Sequence, residues 1–145
     1  MPAATVSRAD NRYLTAIFIV GTVEDCRAET GAVAAELDVS PSTVTERFRD
    51  LAARDLVDYE RYQGATLTDR GERIARTLAW KRCLAHHFSA DELDLPADTA
   101  DELGGALSAD AAAALREHID HPCEGGCRAP AVRLPECRVY STASR

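Results

Sequence analysis

Apolar residues recur at helical spacing early in the chain, switch to a period of two near its middle, and return to helical spacing for much of the remainder. Tyr13, Leu14, Ile17, Phe18 and Val20 predict a first helix from about Arg8 to Val23, with Gly21 near its end. Thr30 reads as the N-cap of a second helix carrying Val33, Ala34 and Leu37, after which Asp38-Val39-Ser40 turns the chain. Ser40 then caps a third helix with Pro41 at its first position, where a missing N–H costs nothing. Val44, Phe48 and Leu51 are spaced four and three apart and face inward. Ser42, Thr43, Thr45, Glu46, Arg47 and Arg49 take the opposite, polar face.

The period of two covers Leu56-Val57-Asp58-Tyr59-Glu60, and Ala65-Thr66-Leu67-Thr68 can return antiparallel across Arg61-Tyr62-Gln63-Gly64. Gly64 supplies the positive φ such a turn needs, and Arg61 falls at its tip. Thr68 or Asp69 caps a long helix reaching about Phe88, with Ile74, Leu78 and Leu84 on one face. After a break over Asp91 to Leu95, two more helices follow, about Ala97 to Leu107 and Ala109 to Ile119, and Pro122 stops the last. From there to Arg145 no period is sustained, which predicts a loosely ordered tail. The expected fold class is therefore mainly α. A winged helix-turn-helix domain (1–70) is followed by a helical region (71–121) and a tail containing Cys, Pro and Gly (122–145).

A helix, a turn, a second helix with a short-side-chain polar face and then a β-wing is a layout suited to placing that second helix in a DNA major groove. The formal charge of −7 opposes this as an average but not in its distribution. Residues 40–82 hold nine Arg or Lys against seven Asp or Glu, whereas residues 83–125 hold one Arg against ten acids. The reading head is the basic part of an acidic chain. Arg47, Arg49 and Arg61 are its candidate phosphate contacts, and Ser40, Pro41, Ser42, Thr43 and Thr45 its candidate recognition positions. Lys81 is the single lysine beside sixteen Arg, a bias in keeping with a GC-rich, salt-adapted source. With no apolar run near about 18 residues and no cationic leader, no membrane association and a cytoplasmic location are expected.

The run from Val33 to Gly71, above all Ser40-Pro41-Ser42-Thr43-Val44-Thr45, Asp55-Leu56-Val57 and Leu67-Thr68 followed by Gly71, resembles the winged-helix domain of the diphtheria toxin repressor family. That family comprises metal-dependent regulators, including the manganese transport regulators. The likeness extends more weakly over the long helix and the two acidic helices, which match the family's dimerisation region in order and length. It implies a homodimeric transcriptional regulator on palindromic double-stranded DNA, a repressor switched by iron or manganese. The family's metal ligands would fall on Arg12, Thr15, Arg82, His86, Asp101, Gly104 and Gly105. Two arginines and two glycines cannot ligate a cation.

Other soft donors gather late in the chain. Cys83 lies three and four residues before His86 and His87, so on one helix they share a face. Cys123 and Cys127 bracket Gly125-Gly126, with His121 two residues upstream. Thiolates and imidazoles suit Fe, Zn or an Fe–S cluster better than the harder ion of a carboxylate site. The candidate ligands of a replacement site are Cys83, His86, His87, Cys123 and Cys127. Reversible thiol–disulfide sensing, or no sensing role, remain alternatives. Cys26 reads as an incidental thiol, and His118 as a histidine favoured by a helix C-terminus.

Two functions from different classes compete. One is a homodimeric DNA-binding transcriptional regulator responding to a transition metal (Fe, Mn or Zn) or to redox state. The other is a winged-helix protein-interaction module with a structural zinc site. The polar face of the third helix favours the first, because an interaction surface would show aromatic or aliphatic anchors there. An enzyme is not expected, since nucleophile-elbow, phosphate-loop and zinc-protease motifs are all missing.

Overall fold

The computed structural model describes residues 7–24, 27–89, 93–119, 121 and 123–128, and contains six helices and one hairpin among them. They are α1 (Arg8–Glu24), α2 (Thr30–Leu37), α3 (Pro41–Ala53), β1 (Val57–Glu60), β2 (Gly64–Leu67), α4 (Asp69–Phe88), α5 (Ala97–Ala106) and α6 (Ala109–Ile119). The chain divides into two compact units at Ala75 and Arg76, within α4.

In the first unit α1 packs on α2, α3 and β2, and its interior holds Leu14, Ile19, Val33, Val44, Phe48, Leu51 and Leu56 with essentially no exposed surface. Each such side chain contributes roughly 1.5–3 kcal/mol by leaving water. Ser7 and Asp10 cap α1 reciprocally. The Asp10 N–H donates to Ser7 Oγ at 3.1 Å, and the Ser7 N–H donates to Asp10 Oδ2 at 2.9 Å. At α3 the sequence reading of the cap holds in detail, because Ser40 Oγ accepts from the Thr43 N–H at 3.2 Å ahead of Pro41.

The start of α2 differs from expectation. Thr30 is already helical, and the cap position falls on Glu29, whose side chain makes no capping hydrogen bond. Backbone bonds just upstream fix the entry instead, since Ala28 exchanges two 2.9 Å hydrogen bonds with Ala65 of the wing. Asp38, at φ 56°, closes the helix in the left-handed conformation.

Strands β1 and β2 pair antiparallel, with Val57 opposite Leu67 and Glu60 opposite Gly64. Gly64 is required twice over: its φ is +95°, and a Cβ there would lie 2.2 Å from the Ala28 carbonyl oxygen. The Arg27 guanidinium ties this hairpin down by donating to the carbonyls of Asp58 and Gly64, both at 3.1 Å. Gly71 explains the Leu-Thr-x-x-Gly pattern. Thr68 Oγ1 donates to the Asp55 carbonyl and accepts from the Gly71 N–H, and a Cβ on Gly71 would stand 2.0 Å from the Leu56 carbonyl oxygen.

In the second unit the buried face of α4 is only partly the one expected, since Leu84 is buried as its spacing implied. Trp80, Cys83, Leu84 and the small Ala79 and Ala85 are buried, whereas Leu78 is half-buried. Within the first unit, Ile74 is likewise half-buried beside a fully buried Ala75. Small side chains let neighbouring backbone approach, and at Gly104 of α5 a Cβ would come within 2.9 Å of Arg82 Cα. The start of the expected loose tail is in fact docked. Trp80 Nε1 donates to the Cys123 carbonyl at 2.7 Å, and Arg76 exchanges bonds with Cys127, from its Nη1 to the Cys127 carbonyl at 2.7 Å and from the Cys127 N–H to its own carbonyl at 2.9 Å. Cys26, Cys137, Pro122 and residues 129–145 lie outside the described residues.

Candidate nucleic-acid interface and metal centre

The exposed surface of α3 follows from its buried stripe. With Val44, Phe48 and Leu51 turned fully inward, Ser42, Thr43, Glu46 and Arg49 are left in solvent. Ser40 Oγ contacts both Ser42 Oγ at 3.2 Å and Thr43 Oγ1 at 2.8 Å, so the hydroxyls at this N-terminus form one ordered cluster. Thr45 Oγ1 donates to the Pro41 carbonyl at 3.1 Å, which commits its hydroxyl to the helix. Arg47 turns back onto α1, 6.0 Å from the Tyr13 ring centre and 3.8 Å from Asp10. At the wing tip Arg61 lies 5.0 Å from the ring centre of Tyr62, which is 90% exposed at φ 68°. The sequence reading passed over Tyr62. A large aromatic two residues before the turn glycine and next to an arginine was the signal for it.

The positions where the resemblance would place metal ligands do not fit a cation. Arg12 donates to the Leu37 carbonyl at 3.3 Å, and Thr15 is buried. Asp101 Oδ1 is shared by Arg82 Nε at 2.9 Å and His86 Nε2 at 2.6 Å. Burial pushes the Asp101 carboxyl up, but the His86 hydrogen bond and the Arg82 charge outweigh it and hold the group below the usual carboxylate range. A guanidinium thus stands on the only carboxylate of that set. Gly104 is packed against the Arg82 backbone with no room for a side chain.

A different donor set forms nearby. Cys83 Sγ, one nitrogen of His87 and one of His121 lie within 4.8 Å of one another, with Cys83 and His121 buried and His87 half-buried. Cys83 Sγ is 3.1 Å from His121 Nε2, and the His87 and His121 rings meet edge to face at 5.4 Å between centres. Burial, with smaller contributions from the nearby His87 and Arg116 charges, holds the His121 imidazole below its ordinary pKa against the raising effect of its Cys123 backbone bond, which favours the neutral form a metal needs.

Of the sequence-selected ligands, Cys83 and His87 are brought together. His86 points to Asp101 instead, the displacement that one residue makes around a helix. Cys123 and Cys127 are buried thiols, outside any disulfide, that hold the segment through their backbones, and neither joins the cluster. His121 enters in their place. Its position two residues before Cys123 was visible, but not that the segment would fold back on α4.

The first unit has the geometry of a winged helix-turn-helix domain of the DNA-binding class. Residues 5–65 match the family described as iron-dependent repressor, N-terminal DNA-binding domain. The HTH-type transcriptional regulator MntR of Oceanobacillus iheyensis is 38% identical over 61 residues, 42% of each chain. A solved structure of a manganese-dependent transcriptional repressor complexed with manganese superimposes with a TM-score of 0.64 at 29% identity, covering 77% of this chain and 53% of the other. IdeR of T. acidophilum shares the fold, with a TM-score of 0.66 at 15% identity over 90% of this chain and 63% of its own. The winged-helix domain of this chain is thus similar to the DNA-binding domain of iron-dependent repressors and to the MntR regulators. The chain spans about half the length of the curated relatives it matches. No helix among the described residues is long and apolar enough to cross a membrane.

Proposed function

We propose that the protein is a cytoplasmic transcriptional regulator rather than an enzyme, binding palindromic operator DNA as a homodimer and responding to a transition metal or to redox state. The observation that carries the DNA-binding part is the N-terminal half of α3, where an ordered Ser40, Ser42 and Thr43 cluster is presented to solvent on a buried apolar base. Short hydroxyl side chains approach base edges closely, and the helix N-terminus favours phosphate. Arg49 on α3 and Arg61 and Tyr62 at the wing tip are exposed groups able to meet backbone and groove. The names of the relatives support regulation by metal, and a Cys/His cluster in the second unit supports a sensor.

The test is occupancy of the protein across its genome with iron replete, with iron depleted and under oxidant. Sharp peaks over a palindromic motif that change between conditions are expected. Scattered occupancy without a motif overturns the dimeric operator reading, and peaks indifferent to all three conditions overturn the sensing part.

A further inference from the structure

We infer that Cys83, His87 and His121 form a binding site for a borderline-to-soft divalent cation of the Zn(II) class, and that the ion acts on the segment 121–127 through His121. This deepens the reading of the protein as a metal-responsive regulator and rests on it only for the meaning of the response.

The donor set decides the class of ion. One thiolate and two imidazoles prefer Zn(II), Co(II) or similar ions, whereas Mn(II) favours carboxylate and water. The three donor atoms lie within 4.8 Å of one another, and a tetrahedral Zn(II) would hold such donors about 3.3–3.6 Å apart, so modest side-chain adjustment closes the site. Three protein ligands leave a fourth position for water or another ligand. Binding replaces the Cys83 S–H bond by a sulfur–metal bond, and the proton leaves to solvent.

The coupling lies in the two nitrogens of His121. Nδ1 is 3.1 Å from the Cys123 N–H, from which it can accept, and 3.4 Å from the Cys123 carbonyl. With Nδ1 accepting, the neutral ring carries its proton on Nε2, the atom that faces Cys83. A metal on Nε2 requires the other tautomer, with the proton on Nδ1. The Cys123 N–H then loses its acceptor, and the ring can donate to the Cys123 carbonyl instead. That carbonyl already accepts from Trp80 Nε1, and the segment is further held by Arg116, whose Nε donates to the His121 carbonyl at 3.0 Å. Metal occupancy therefore changes the hydrogen bonds around Cys123, whose carbonyl is fastened to α4 by Trp80. Trp80 is the only tryptophan of the chain, so the protein reports this change itself.

The full-length protein, stripped with chelator and reduced, is titrated with Zn(II), Co(II) and Mn(II) while Trp80 emission and Co(II)–thiolate absorption are read. One Zn(II) per chain, a saturating shift in Trp80 emission, a near-ultraviolet sulfur-to-cobalt band, and Mn(II) affinity at least ~100-fold weaker are expected. Cys83→Ser and His121→Gln each lose at least ~100-fold in Zn(II) affinity, while His86→Gln and His118→Gln bind as the parent does. If the buried substitutions unfold the protein, seen as lost helical circular dichroism, His87→Gln at its half-buried position decides alone with the same expected loss. Failure of the parent to bind stoichiometric Zn(II), full affinity in His87→Gln, or a loss in His86→Gln equal to that in His87→Gln overturns the site. Zn(II) binding with unchanged Trp80 emission overturns the coupling. DNA binding of the same samples is measured separately, so a failed metal site and a failed regulator are told apart.

Discussion

Arg54, just beyond the end of α3, sets its guanidinium as a fork on the Asp10 carboxylate in the first turn of α1, at 2.7 and 3.0 Å. Asp10 is 3% exposed and also caps its own helix through Ser7, so a buried negative charge has every oxygen occupied. Burial of a charge is costly, and only such complete pairing makes it tolerable. The contact ties the C-terminal end of α3 to the first turn of α1.

A pH dependence follows. The Arg54 hydrogen bond, against the opposing effect of burial, lowers the Asp10 carboxyl from 3.8 to about 2. A group whose folded pKa is depressed stabilises the fold above its unfolded pKa and ceases to do so as pH falls through the folded one. Stability near neutrality should include about 2 kcal/mol from this group, lost progressively as pH drops from about 4 towards 2. Asp10→Asn should lose about that amount at pH 7 and flatten the acid limb. Urea unfolding followed by circular dichroism across this range checks both, and a parent curve unchanged between pH 4 and 2.5 would refute the assignment.

Two glycines separate strain from freedom. At Gly71 an added Cβ meets the Leu56 carbonyl oxygen at 2.0 Å, and that carbonyl is held by the Thr68 N–H. Backbone on both sides must move, so Gly71→Ala should destabilise by more than about 3 kcal/mol. Gly31 is the second residue of α2 with nothing within 4 Å of a built Cβ, and Gly31→Ala should stabilise by up to about 0.5 kcal/mol. Thermal unfolding of the pair gives opposite signs if the packing is as described.

The wing domain was largely legible because most of its local signals agree with the fold. Ser40-Pro41, the Val44, Phe48 and Leu51 stripe and Gly64 all act as their spacing implied. Thr30 misled because the helix begins one residue earlier than its side chain implied, just after a backbone bridge through Ala28. The second unit was less readable, since its core uses Ala79, Ala85 and Ala100 with Trp80, and alanine carries a weak periodic signal. His121 was hidden for another reason. Its nearness to Cys83 depends on a non-helical segment returning across 38 residues of sequence, held by backbone bonds that no side-chain pattern records.

That return should be fragile at one atom. Trp80→Phe keeps an aromatic side chain but removes part of the buried indole together with the 2.7 Å bond to the Cys123 carbonyl. The lost bond costs about 1–2 kcal/mol, because a buried carbonyl loses a donor, and the space left by the smaller ring adds to it. The loss should fall on the second unit and show as faster hydrogen exchange at the amides of Cys123 and Cys127, with those of α3 unchanged. Equal acceleration in both places would mean that the bond does not hold this segment in particular.

The three arginines of the reading head should behave differently, because the structure gives them different surroundings. Arg49 and Arg61 are exposed, whereas Arg47 lies against Tyr13 and Asp10. A phosphate contact contributes to the salt dependence of DNA binding through counterion release. Arg49→Ala or Arg61→Ala should therefore lower the slope of log affinity against log salt by about 1 each, weakening all sequences alike. Arg47→Ala should lower the slope less and reduce thermal stability, as its side chain covers α1. Ser42→Ala and Thr43→Ala should leave the slope unchanged and alter preference among operator variants, by about 1–3 kcal/mol at the base pair concerned. Fluorescence anisotropy between 50 and 300 mM salt (on the order of a sixfold range, wide enough to resolve one counterion) separates these outcomes. A slope reduction from Arg47→Ala as large as that from Arg49→Ala would show that Arg47 leaves Tyr13 when DNA arrives.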